Sequence, residues 1–71
     1  MALIADEDVP TDYTSEERQL FRAIDAGLEG CPPLAEPFVK KAAQVAGKKL
    51  GIKVSRVADI YEAVRQERKS L

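Results

Sequence analysis

Residues 42–62 read AAQVAGKKLGIKVSRVADIYE, and this stretch with the residues after it decides the fold. Beyond Gly51 the apolar residues recur at i, i+3, i+4 and i+7, a spacing that places their side chains on one face of an α-helix. That series consists of Val57, Ile60, Tyr61 and Val64. Cations favour the carboxyl end of a helix, where Arg65, Arg68 and Lys69 follow. We therefore predict a helix over about 54–69.

A second helix is predicted before Gly51. Proline is favoured in the first helical turn, so Pro37 marks a start, and Gly51 marks the end. We expect the helix to span about 37–50. Its predicted apolar face consists of Phe38, Ala42, Val45, Ala46 and Leu50.

A third segment, nearer the amino terminus, begins with a capping box. Thr14 is followed three residues later by Glu17, and each side chain can bond a backbone N–H that the first turn leaves free. An apolar stripe follows, made by Leu20, Phe21, Ile24 and Leu28. We predict a helix over about 15–29, closed by Gly30, with the rigid connector Cys31-Pro32-Pro33 after it.

Three amphipathic helices joined by short connectors predict an all-α fold, a small three-helix bundle. Residues 1–13 contain four acids and Pro10 without apolar periodicity, and we expect them to form a flexible acidic arm. The predicted organisation is thus an arm over 1–13 and a three-helix domain over 14–71.

The composition argues against an enzyme. The 71 residues contain no histidine, the commonest general base, and only one cysteine, Cys31. We interpret Cys31 as a small loop residue. No transition-metal ligand set or glycine-rich phosphate loop is present, so we expect no catalytic residues, no metal site and no cofactor. We expect no membrane association either, and a cytoplasmic setting fits an unpaired cysteine.

Charge is distributed unevenly along the chain. Residues 1–36 contain two basic and nine acidic residues, a net charge of −7, and residues 37–71 contain nine basic and three acidic residues, a net charge of +6. A basic half of this density is typical of proteins that contact phosphates. The alternative interpretation is that the lysines serve only solubility.

Residues 43–62 resemble the helix-turn-helix motif of bacterial and phage repressors at their apolar and glycine positions. In the resemblance Gly47 is the small residue at the helix crossing, Leu50-Gly51-Ile52 is the turn, and Val57 and Ile60 anchor the second helix. Repressors often carry a small hydroxyl residue where this chain has Lys53. If Ser55 caps the second helix instead, the turn is longer.

We expect a small DNA-binding regulatory or accessory protein, such as a transcription regulator or a phage or plasmid factor. Its last helix would read bases, with Lys53, Ser55 and Arg56 near base edges and Lys40, Lys41, Lys48 and Lys49 on phosphates. A domain this small buries little DNA surface alone, so a homodimer or a partner protein is expected. The alternative is an ordinary helical hairpin in a protein-binding adaptor or inhibitor that acts through an acidic or helical surface.

Overall fold

The structure is a computed structural model that describes residues 9–70. It contains three α-helices, α1 (Ser15–Leu28), α2 (Glu36–Lys49) and α3 (Val54–Lys69), with a short 3₁₀ helix at Pro33–Ala35 leading into α2. Every pair of α-helices is in contact, and the described range contains no strand. The all-α three-helix prediction is confirmed. None of the helices in this range is long and apolar enough to cross a membrane.

The start of α1 is fixed by the capping box that the sequence predicts. The Glu17 backbone N–H donates to Thr14 Oγ1 at 3.1 Å, and the Thr14 backbone N–H donates to Glu17 Oε1 at 2.9 Å. These bonds satisfy two donors that the first turn of a helix leaves unpaired. After the helix, Gly30 has a φ of +66°, a conformation that glycine adopts without steric cost.

All three helices contribute to one hydrophobic core. The stripes predicted for α1 and α3 both point inward, and Ile60 and Val64 are fully buried. Most of the buried apolar side chains come from α1 and α3. The core consists of Val9, Leu20, Phe21, Ile24, Ala43, Val57, Ile60, Tyr61 and Val64.

The predicted arm is partly packed onto the domain. Val9 is only 2% exposed and belongs to the core. The Tyr13 ring lies 5.9 Å from the Phe21 ring, and an Arg18 guanidinium nitrogen donates to the Pro10 carbonyl oxygen at 3.2 Å. Residues 9–13 therefore belong to the folded unit, because Val9 and Tyr13 cover apolar surface that the helices leave open. Residues 1–8 of the predicted arm lie outside the described residues.

The inward face of α2 differs from the predicted one. Phe38 is 75% exposed and Val45 is 52% exposed, and Ala42 is exposed as well. The buried residues of this helix are Ala43 and Gly47. Of the predicted set, Ala46 and Leu50 are partly buried, and Val39 joins them against the core. The prediction is wrong for the three outward residues.

Close packing at Gly47 explains why the inward face of α2 differs from the predicted one. A Cβ atom added at Gly47 would lie 2.3 Å from Cγ2 of Val57 and 3.6 Å from Cδ2 of Leu20, so the backbone of α2 approaches both other helices at this point. Only a residue without a side chain fits there. Small residues face the core for this steric reason, and the larger apolar residues of α2 are left outside.

Candidate nucleic-acid interface

The connection between α2 and α3 is a tight four-residue turn, from Leu50 to Lys53. Gly51 has a φ of +77°. Its N–H donates to the Lys48 carbonyl oxygen at 3.1 Å, and the Ile52 N–H donates to the Gly47 carbonyl oxygen at 2.8 Å. This pair of bonds is the Schellman motif, which ends a helix at a glycine and satisfies its last carbonyls. The turn thereby fixes the direction in which the chain enters α3.

Gly47, Gly51, Val57 and Ile60 meet in one helical hairpin. Gly47 lies against Val57, and both Val57 and Ile60 are buried. The first turn of α3 is therefore held firmly onto α2, while the opposite side of that turn faces solvent.

The first turn of α3 lacks a side-chain cap. Lys53 occupies the N-cap position in an extended conformation, with no hydrogen bond from its side chain to the helix. Ser55 is the second residue of the helix and is exposed, so it does not lengthen the turn. The first N–H groups of a helix have no partner within it, and those of α3 receive no hydrogen-bond acceptor from the side chain of the N-cap residue.

Arg56 follows Ser55 in the first turn of α3, but its side chain contacts residues at and just before the start of α1. Its Nε donates to Oε2 of Glu17 at 2.5 Å, and its guanidinium carbon lies 5.1 Å from the centre of the Tyr13 ring. The backbone N–H of Thr14, followed by the Arg56 guanidinium, lowers the pKa of Glu17, and the hydrogen bond to Glu17 raises the pKa of Arg56. Arg56 ties α3 to the start of α1.

The other arginines of α3 also bond to acids. Arg68 pairs with Asp25, and with Glu29 at 3.5 Å. Arg65 pairs with Glu36 at 3.2 Å, and with Glu62 at 3.5 Å. The charge asymmetry of the sequence is therefore partly neutralised within the fold, because acids from the first half of the chain hold arginines of the second.

The lysines of α2 and the turn behave differently. All five are exposed, and none forms an ion pair with another residue of the described range. Lys41 and Lys48 are seven residues apart, which is about two helical turns, so they share one face of α2. Lys40 points elsewhere, with its Nζ 5.9 Å from the centre of the Tyr61 ring. The five are Lys40, Lys41, Lys48, Lys49 and Lys53.

A shallow cleft separates the start of α1 from the turn and the start of α3. Lys53, Ser55 and Arg56 line one side of it. Acids line it too, since Glu16 and Glu17 enter from α1 and Asp59 from α3. In the sequence, the position of Glu17 indicates only a capping box. Nothing in the spacing of the residues indicates that its side chain contacts Arg56, 39 residues away.

No group of three His, Cys, Asp or Glu side chains within residues 9–70 is placed to hold a metal ion. Comparison of the chain with family models, with curated proteins and with solved structures finds no match.

Proposed function

We propose that this protein binds duplex DNA through α2, the turn and the start of α3, as a small regulatory or accessory protein. The observation that carries the proposal is that the arginines of α3 and the lysines of α2 and the turn differ in their partners. Arg56, Arg65 and Arg68 bond to acids of the fold, whereas the five lysines of α2 and the turn are exposed and have no acidic partner among the described residues.

The stretch of sequence that carries these lysines contains no acids. Residues 37–58 contain five lysines and one arginine, and no aspartate or glutamate. Cations of this kind bind nucleic acid by neutralising phosphates and releasing condensed counterions. A basic surface on a helical hairpin also fits the resemblance to the repressor motif, because phosphate contacts position such a motif before any base is read.

The roles within the proposed interface follow from the contacts. Lys41 and Lys48, on one face of α2, would contact the backbone of one strand. Lys53 and the uncapped N–H groups of α3 would contact a second phosphate, since a helix amino terminus attracts anions. Ser55 is the exposed side chain beside them that could reach a base edge. Arg56 could read a base only after leaving Glu17, so we assign it to positioning α3.

A titration with random duplex DNA at low and moderate salt tests the proposal. We expect affinity to fall steeply with salt, and Lys48→Gln to lower the slope of log K against log salt by about one unit. Lys69→Gln is the matched control, because Lys69 is also exposed but lies at the far end of α3, about 24 Å from Lys53 along the helix. Absence of binding at low salt would reject the proposal, and so would equal effects of the two substitutions.

Asp59→Asn provides a second test of the same surface. Asp59 lines the cleft beside Lys53, where a carboxylate repels phosphates. We expect its neutralisation to strengthen binding to every sequence. A loss of affinity confined to one base pair would instead mean that Asp59 accepts a hydrogen bond from a cytosine.

The alternative function is that of a protein-binding adaptor or inhibitor. Four acids of residues 1–36 are paired with the arginines of α3 and so offer a basic partner little free charge, namely Glu17, Asp25, Glu29 and Glu36. One observation does favour protein contact: Leu34 is 91% exposed and Phe38 is 75% exposed, and exposed apolar patches mark interaction surfaces. Loss of a protein partner on Phe38→Asp, with no DNA binding by the parent, would favour the adaptor.

A further inference from the structure

The grooves between the three helices are covered to different extents within residues 9–70. Residues 9–13 lie over α1 and α3, where Val9 is buried and Tyr13 contacts Phe21. Across α2 and α3 the Arg65–Glu36 ion pair spans the surface. Between α1 and α2, by contrast, an apolar groove of about 370 Å³ remains. Its lining includes Ala23, Ile24, Gly27, Phe38, Val39 and Ala42.

We propose that this face of α1 and α2 is the contact between two copies of the chain. An interface with two-fold symmetry uses the same patch on both molecules, so the patch must complement itself. This one does so in shape, because it carries both a projection and a depression. Phe38 projects from the α2 side, and Ala23 and Gly27 leave the α1 side without bulk. Each Phe38 can enter the groove of the other copy.

The charge distribution around the groove is also compatible with contact between two copies of the chain. Every residue that lines the groove is uncharged, so two copies can approach without repulsion inside the patch. The helices themselves differ in charge: α1 contains three acids and two arginines, whereas α2 contains four lysines and one glutamate. A two-fold axis parallel to the groove places α1 of each copy opposite the lysine-bearing α2 of the other. That arrangement keeps the two lysine-bearing helices apart.

The size of the patch predicts a weak dimer. Each of the two helices has 14 residues and is therefore about 21 Å long, and two helices side by side are about 20 Å wide. The footprint is thus about 400 Å² on each copy, or about 800 Å² in total, which is below the roughly 1,200 to 2,000 Å² of stable complexes and is typical of weak, transient ones. We expect a dissociation constant in the micromolar range. If the proposed function is correct, the dimer would present two copies of α3 to two DNA half-sites.

Sedimentation velocity of the full chain without DNA tests the proposal. From low micromolar to near-millimolar concentrations, we expect the mass to rise from 7.8 kDa towards twice that value. Phe38→Asp, on α2, and Ala23→Glu, on α1, should each raise the dissociation constant by about tenfold or more, because a carboxylate would be buried without a partner. Both positions are exposed in the single chain, so the melting temperature should change little.

Val54→Asp is the matched control, since Val54 is another exposed apolar residue, 69% exposed, but lies in the first turn of α3. It should leave the dimer unchanged. A parent that stays monomeric throughout would overturn the proposal, as would a dimer that resists both groove substitutions or yields equally to Val54→Asp. None of these outcomes bears on the DNA proposal, because lysine-dependent binding to random DNA at low salt does not require a dimer.

Discussion

Arg68 closes the carboxyl end of α1 by bonding to Asp25 twice. One guanidinium nitrogen donates both to the Asp25 carboxylate and to the Asp25 backbone carbonyl oxygen, the latter at 3.0 Å. Its other terminal nitrogen donates to the Leu28 carbonyl oxygen at 3.4 Å. The last turn of α3 thereby supplies hydrogen bonds that the last turn of α1 cannot form within its own helix. Asp25 is 1% exposed, so its carboxylate has little contact with water.

Arg68→Ala is expected to destabilise the domain by about 1.5 to 3 kcal/mol, because the buried Asp25 loses the charged hydrogen bonds that Arg68 donates to it. Urea unfolding measures the loss. Lys69→Ala is the control, an exposed neighbour in the same helical turn, and should cost less than about 0.5 kcal/mol. Equal small effects of both substitutions would mean that the pair contributes nothing to stability.

Gly47→Ala should also destabilise the domain, although alanine favours helix by about 1 kcal/mol over glycine. The new Cβ would lie 2.3 Å from Cγ2 of Val57, and a β-branched side chain has little freedom to move. We expect a net loss of about 1 to 3 kcal/mol. A double-mutant cycle with Val57→Ala checks the cause, since removing the Val57 methyl groups should make the Gly47 substitution much less costly. Independent effects would place the strain elsewhere.

Lowering the pH should weaken the Glu17–Arg56 ion pair that connects α1 and α3. The backbone N–H of Thr14 and the Arg56 guanidinium lower the pKa of Glu17, so its contribution to stability is present above the unfolded pKa, near 4.5, and is lost as pH falls through the lower folded value. We expect the fall in melting temperature below pH 4.5 to be smaller in Glu17→Gln than in the parent. A Glu17→Gln variant with the same pH dependence as the parent would contradict this prediction.

Substitutions of Arg56 and Lys53 should have opposite effects on the melting temperature and on DNA binding. Arg56→Ala removes the contacts to Glu17 and Tyr13, so we expect a lower melting temperature and an unchanged salt slope for random DNA. Lys53→Ala should do the reverse, with an unchanged melting temperature and a slope lowered by about one unit. If Arg56→Ala instead leaves stability intact and weakens binding to a preferred site alone, Arg56 reads a base, as the sequence first suggests.

The sequence by itself determines where the helices begin and end. Thr14 and Glu17 form a local capping box, and Gly51 forms a local helix end, so each depends on residues at most a few positions apart. The inward faces of α1 and α3 can also be predicted from the sequence, because both helices carry bulky apolar residues at helical spacing. Ile60 and Val64 are buried as that pattern predicts.

Only the tertiary structure decides which way α2 faces and which cations are free. Hydrophobicity favours Phe38 and Val45 as the inner residues, but the close approach of Gly47 to Val57 turns them outward, and this steric constraint arises only when the helices meet. Likewise, Arg56 and Lys53 are equivalent as charges in the sequence. They differ in the fold because Glu17 lies 2.5 Å from Arg56, whereas Lys53 has no acidic partner in the described range.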